Sequence, residues 1–287
     1  MGWVQGSVFI SGAVMKPVFS ICAVLYGDHL DLATRLLDSL RDVHYVQDIR
    51  LGLNAVHSRT QDYVHRWAAE QKRQRPVYLY QPTEGLNAGK YPLMRQMFRD
   101  REIAKRIMWF DDDSYLDEQV GKPWWDQAME LSRNFRQIGS IHSIMGRGRQ
   151  HEVIAQQPWF RNKPFNARSR FKFITGGWWI AQTEFLRKWD YPFPDLYHNG
   201  GDSILGELLR QQDEPLGKLT GGMQCHCEGC MRKRSARSAP VVHINVGGRK
   251  GRRGLGVHDE RYIWADGNSQ PLLDHQNFSL SIYRYEI

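Results

Sequence analysis

Residues 108–114 read Met108-Trp109-Phe110-Asp111-Asp112-Asp113-Ser114, an apolar run that drives straight into three carboxylates. An extended chain alternates its side chains, so Asp111 and Asp113 are expected to face one way and Asp112 the other. Two like-facing carboxylates at the end of a hydrophobic strand are costly unless a positive group joins them. A divalent cation that also binds phosphate oxygens suits such a place, because hard cations prefer oxygen ligands. Taken alone, the triplet fits a solvated acidic turn, or a helix cap at Asp113 or Ser114, just as well. Its surroundings decide the reading.

Upstream, apolar runs at 18–25, 49–55, 77–80 and 106–110 read as strands, with helical spacing over 30–40, 61–71 and 91–102 between them. Strand and helix in this rhythm predict an α/β chain whose mostly parallel sheet carries helices on both faces. Functional groups of such sheets gather beyond the carboxyl ends of the strands, here after residues 25, 80 and 110. Downstream the pattern is less regular. Helices are expected at 124–135, 183–189 and 203–212, and strands at 140–144, 171–180 (broken at Gly176-Gly177) and 241–246. No internal repeat or linker divides the chain, so a single domain over 1–287 is expected.

Composition narrows the class. Of 287 residues, 41% are hydrophobic and 24% charged, which excludes a disordered chain, a collagen-like repeat and a coiled coil. No apolar run approaches the roughly eighteen residues of a membrane span. Residues 1–20 lack the basic region and cleavage site of a signal peptide. Gly6 stands where a myristoylation signal needs Ser or Thr. The expectation is a cytoplasmic protein with no membrane partner. Lys and Arg number 39 against 31 acids, a net charge of +8. Seven basic residues and one acid fall in 147–172, and nine and three in 225–261. Clustered positive charge is expected either of a phosphate-rich partner or of a merely solvated surface. Four cysteines make no disulfide scaffold in this length, and Cys22 reads as a small core residue.

Taken in order, these features resemble GT-A-fold glycosyltransferases, which pair a Rossmann-type nucleotide-sugar half with an acceptor half. Phe173-Ile174-Thr175-Gly176-Gly177-Trp178-Trp179 resembles the acceptor-side glycine-aromatic segment of that fold. Asn199-Gly200-Gly201-Asp202-Ser203 is similar to the segment that supplies a catalytic carboxylate, and Val241-Val242-His243 to the late strand whose His completes the metal site. Gly85-Leu86-Asn87-Ala88-Gly89-Lys90-Tyr91-Pro92 resembles the TET-associated glycosyltransferases of bacteriophages, which modify hydroxymethylated pyrimidines in DNA. The resemblance covers roughly residues 18–260. It implies a nucleotide-sugar half over about 18–145, an acceptor half over about 146–260, and a basic Cys/Arg-rich segment at 225–261. It also implies a UDP-sugar donor, Mn2+ or Mg2+, and an acceptor hydroxyl on 5-hydroxymethylcytosine in duplex DNA. A bacteriophage protein would act in the host cytoplasm.

The residues then take roles. Tyr26 could stack on a nucleobase and Asp28 hydrogen-bond the nucleoside, although Asp28 also suits the start of the 30–40 helix. Asn87 and Lys90 lie in a glycine-bearing loop, where Lys90 offers a point charge for phosphate. The loop lacks the spacing and the Ser or Thr of a P-loop, which excludes that ATPase reading. Asp111, Asp112, Gly176 and Gly177 complete the expected donor site. The implied metal ligands are Asp111, Asp113 and His243, with His258 as the substitute for His243. The glycine- and arginine-rich 247–256 segment, Arg252 included, could close over the diphosphate or hold a DNA backbone. Asp202 is the candidate base, since an inverting transfer needs a carboxylate to take the acceptor proton; an N-cap is its rival role. Cys225, Cys227, Cys230 and His226 form a candidate structural zinc site, against reduced surface thiols. Arg147, Arg149, Arg168, Arg170, Arg249 and Arg253 are candidate DNA contacts. The tryptophan pairs at 124–125 and 178–179 could stack a base or fill the core. Two other functions stay open: a non-enzymatic nucleic-acid-binding module, and a glycosyltransferase with a protein or glycan acceptor.

Overall fold

Continuous apolar runs become the strands of a sheet buried on both faces. A computed structural model of the chain describes residues 19–27, 29–43, 46–83, 88–116, 123–145, 151, 154–164, 170–194, 196, 201–219, 223–225, 241–243 and 278–286. Strand β1 (Phe19–Tyr26) is buried at every position. Parallel to it run β2 (Val46–Asn54), β3 (Val77–Pro82) and β4 (Arg106–Asp111), in the spatial order β3-β2-β1-β4. Helices α1 (Leu30–Ser39), α2 (Ser58–Gln71) and α3 (Lys90–Arg99) connect them. Alternate residues serve opposite faces. Ile21, Ala23 and Leu25 join the core under α1 and α2, while Cys22, Val24 and Tyr26 join the core under α3.

Beyond β4 the next two pairings are antiparallel and the last is parallel. Its neighbour is β7 (Arg170–Gln182), followed by β6 (Gln137–Met145) and the two-residue β8 (Gly217–Lys218). Helices α4 (Pro123–Asn134), α5 (Thr183–Lys188) and α6 (Gly201–Gln211) complete this half. On the other edge, β11 (Leu280–Tyr285) pairs antiparallel with β3. A second small sheet joins β5 (Ser114–Leu116), β10 (Val241–His243) and β9 (Met223–Cys225). The α/β, mostly parallel expectation therefore holds: the main sheet has four parallel pairings and three antiparallel ones, those of β11 with β3, β7 with β4 and β6 with β7. β7 is not broken at its glycines. Its pairing with β6 shifts register there, from Gly139↔Trp179 to Ile141↔Ile174.

One polar group lies deep in this core. Arg50 on β2 is 0% exposed. It donates to Asp48 Oδ1 at 2.9 Å and Tyr80 Oη at 2.7 Å, pairs with Asp100 Oδ2 at 2.8 Å, and lies 4.6 Å from the centre of the Tyr78 ring. A buried charge is tolerable only while its partners remain. Asp48→Ala is expected to destabilise the protein by about 3–5 kcal/mol, read as a lower urea midpoint with an unchanged slope.

Candidate active site

The parallel strands end on one rim, and the chemistry collects there. Asn54, the last residue of β2, is fully buried. Its Oδ1 accepts from the backbone N–H groups of Ala88 at 2.8 Å and Gly89 at 3.2 Å, fixing the entry to α3. Gly89 turns the chain into the helix with φ 83°, a conformation that favours glycine. Lys90 follows, and its Nζ donates to Asp111 Oδ1 at 2.5 Å. Trp109 Nε1–H donates to the same oxygen at 2.9 Å, and the ammonium stands 5.3 Å from the centre of the Trp109 ring. Asp111 is thus held by a cation, an indole N–H and the end of its own strand.

A second carboxylate faces it. Asp202 lies in the first turn of α6, which starts at Gly201, so it is one residue inside the helix and not the N-cap. Its Oδ1 accepts from Ser203 N–H at 2.8 Å and its Oδ2 from Gly176 N–H at 3.2 Å. Gly176 lies in the stretch of β7 where the pairing with β6 shifts register. Burial pushes the Asp202 carboxyl above its ordinary range, and nearby Asp111 adds to this; the two N–H donors and Lys90 oppose it. Beneath lies a buried Tyr91, whose hydroxyl accepts from Gly201 N–H at 2.9 Å. Consecutive residues of α3 therefore support both carboxylates: Lys90 touches Asp111, and Tyr91 holds the backbone beside Asp202.

Gly176 sits between the two acids. A Cβ there would lie 3.5 Å from Asp202 Oδ2 and 3.8 Å from Asp111 Oδ2, ordinary contact distances. Gly176→Ala is accordingly expected to keep the melting temperature within a few degrees while filling the space where reactants would meet. At Gly201 the same methyl would lie 2.3 Å from Tyr91 Oη. Gly201→Ala is expected to destabilise by about 1–3 kcal/mol through overpacking. Thermal unfolding of the two variants beside an activity assay separates crowding of the site from crowding of its support.

No protein-family model matches the chain, and no curated protein matches it. Solved structures do. GalNAc-T7, determined with UDP, GalNAc and Mn2+, is 11% identical with a TM-score of 0.50, over 79% of this chain and 43% of that one. The mannosyltransferase PcManGT of Pyrobaculum calidifontis, determined with GDP-Man and Mn2+, is 14% identical with a TM-score of 0.49, over 71% and 55%. TarS of S. aureus is 14% identical with a TM-score of 0.41, over 71% and 35%. The chain thus spans from about a third to just over half of the length of these proteins. Identities this low speak for the fold alone. This is a GT-A-like fold.

Several sequence expectations change on the GT-A-like frame. β4 ends at Asp111, and Asp112 and Asp113 form a turn, so the strand alternation stops before the triplet does. Asp112 and Asp113 are 5% and 4% exposed, whereas the Asp111 side chain is 24% exposed. Asp111 is the most exposed of the three. Tyr26 is buried at the end of β1, 5% exposed, and joins the core under α3. Trp124, Trp178 and Trp179 are buried too, with Trp179 stacked on Trp109 and Trp124 edge-on to Trp178, so these are core residues and not base-stacking platforms.

Backbone pairing sets His243 opposite Ser114 and beside Cys225, next to the acidic turn. Arg170 is exposed and bound to Ser143, beyond the carboxyl ends of the parallel strands. Asp28, Asn87, Arg252, His258, His226, Cys227, Cys230, Arg147, Arg149, Arg168, Arg249 and Arg253 lie outside the described residues. Among the described residues, no group of three potential metal ligands forms. No helix among them is long and apolar enough to cross a membrane.

Proposed function

We propose that this protein is an inverting, metal-dependent glycosyltransferase that moves a sugar from a UDP-sugar to the hydroxyl of a 5-hydroxymethylpyrimidine, 5-hydroxymethylcytosine, in duplex DNA. The observation that carries the reaction class is the meeting of Asp111 and Asp202 over Gly176, at the carboxyl rim of the parallel strands. A carboxylate with a raised pKa is a better base near neutral pH than an ordinary one. Asp202 takes the proton of the acceptor hydroxyl as its oxygen bonds to the anomeric carbon. The bond from that carbon to the diphosphate breaks on the opposite side. Gly176 N–H and Ser203 N–H hold the carboxylate in place throughout.

Asp111 and Lys90 form the donor end. Lys90 Nζ already occupies a cation's place on Asp111, so the carboxylate fits a positive partner. A partly exposed carboxylate, with a histidine brought near the acidic turn by backbone pairing, is a donor set suited to Mn2+ or Mg2+, which Asp111 and His243 would hold. A bound divalent ion would supply charge stabilisation for the departing diphosphate. Lys90, released from Asp111, would add a positive charge beside the same phosphates.

The DNA acceptor rests on the sequence resemblance around Gly85–Pro92 and on the basic clusters at 147–172 and 225–261 of the sequence. Its test is mass spectrometry of nucleosides after incubating the protein with hydroxymethylated DNA, Mn2+ and a panel of nucleotide-sugars. A hydroxymethylated nucleoside heavier by one sugar residue is expected. Unmodified DNA alongside sugar transfer to protein or glycan would overturn the acceptor and leave the reaction class standing.

A further inference from the structure

We infer that the end of the sheet opposite the candidate active site carries a second ligand site, a groove for the phosphodiester backbone of a nucleic acid. Its centre is a cavity of about 670 Å3 at the amino end of β4, walled by Lys105, Arg106, Gln182, Glu184, Arg187 and Lys188. Two smaller cavities adjoin it. One of about 270 Å3 shares Arg187, and one of about 170 Å3 shares Glu184 and Lys188. The three follow one another around α5. Three neighbouring cavities with shared walls suit an elongated ligand better than a single small ion.

The charges fit a polyanion. Among the described residues, Lys105, Arg106, Arg187 and Lys188 make no ion pair with any carboxylate, and the neighbouring acids are committed elsewhere. Asp190 pairs with Arg95 and Arg99, and Glu214 with Arg136. Glu184 is left as one exposed acid against four cations. Burial lowers the pKa of both Arg106 and Arg187; Arg133 repels Arg106 further, while the Asp100 carboxylate partly offsets the effect at Arg187. A bound phosphate chain would supply further negative charge beside these cations. Arg187 is also fixed in position. Its Nε donates to Phe98 O at 2.8 Å and its Nη2 to Asp100 O, so the guanidinium is preorganised at the junction of two cavities. The concave shape suits a strand lying along it, where repeating phosphates can meet successive cations.

The inference does not depend on the glycosyltransferase reading, and neither does its test. Lys105 and Lys188 are exposed, so Lys105→Ser with Lys188→Ser should fold as the parent does. Affinity of the full chain for a short unmodified duplex DNA is measured across a salt series, without nucleotide-sugar or metal. Each lost phosphate contact removes about 0.9 from the logarithmic salt slope, so the double variant should show a slope shallower by roughly 1.8. Its affinity at low salt should fall by about tenfold. Asp202→Asn should bind the duplex like the parent, and donor turnover by the double variant should match the parent's. An unchanged slope and affinity in the double variant would overturn the groove. So would inorganic phosphate binding at these lysines that duplex DNA fails to displace, which would make it a small-anion site. Absence of sugar transfer from every donor would sink the catalytic reading and leave this result untouched.

Discussion

Asp202→Asn is expected to give a folded protein that binds UDP like the parent and transfers almost no sugar. Asn keeps an oxygen for Ser203 N–H but sets an amide N–H against Gly176 N–H, so one of two hydrogen bonds is lost. That loss costs about 0.5–1.5 kcal/mol. Burial already disfavours the ionised carboxyl, and removing that charge offsets part of the loss. Stability should therefore move by no more than about 1 kcal/mol. Turnover is another matter, because an amide cannot accept the proton. Removing a positioned base lowers rate by roughly two to four decades. A single-turnover assay beside isothermal titration with UDP reads both quantities. Near-normal turnover would remove Asp202 from the mechanism.

The second large effect is expected at Asp111. Asp111→Asn keeps an oxygen for Trp109 Nε1–H and discards the charge that pairs with Lys90. A divalent ion loses a negative ligand, and Lys90 is left without its counter-charge. Charge stabilisation by a metal at a departing diphosphate is worth several kcal/mol, and about 1.4 kcal/mol is one decade of rate. Turnover should fall by at least roughly two decades, with Mn2+ affinity falling in parallel. Full activity of the parent in EDTA would contradict the metal role. Activity of Asp111→Asn equal to the parent's would contradict the donor role of this carboxylate.

The residues legible in the sequence are those whose signal is local. Strands β1 to β4 announce themselves because a parallel sheet covered on both faces demands unbroken apolar runs. Asp111 was visible as the polar end of such a run, and Asp202 as an acid opening a helix. Their environments were not. Lys90 and Asp111 lie 21 residues apart, and Gly176 and Asp202 lie 26 apart, so each pair exists only after the sheet has assembled. The triplet misled because alternation holds only while the chain stays extended, and this chain turns at Asp112. Gly176-Gly177 suggested a break, yet glycine tolerates extended geometry, and only the pairing with β6 shifts. Strands of two or three residues, β5, β8 and β9, are too short to show a period. β11 shows no clean alternation, and Ile282 and Tyr283 stay exposed at the sheet edge, so its pattern marks no buried face. Arg50 gave no local sign of its partner Asp100, which arrives from the end of α3.

The central claim is that the site formed by Asp111, Lys90 and Asp202 splits a nucleotide-sugar. Its most direct test is release of nucleoside diphosphate from a panel of nucleotide-sugars with Mn2+, comparing the parent with Asp111→Asn and Asp202→Asn. Diphosphate release from one donor by the parent, lost in both variants, is the predicted result. Release from no donor, or pyrophosphate release from a nucleoside triphosphate in its place, would contradict it.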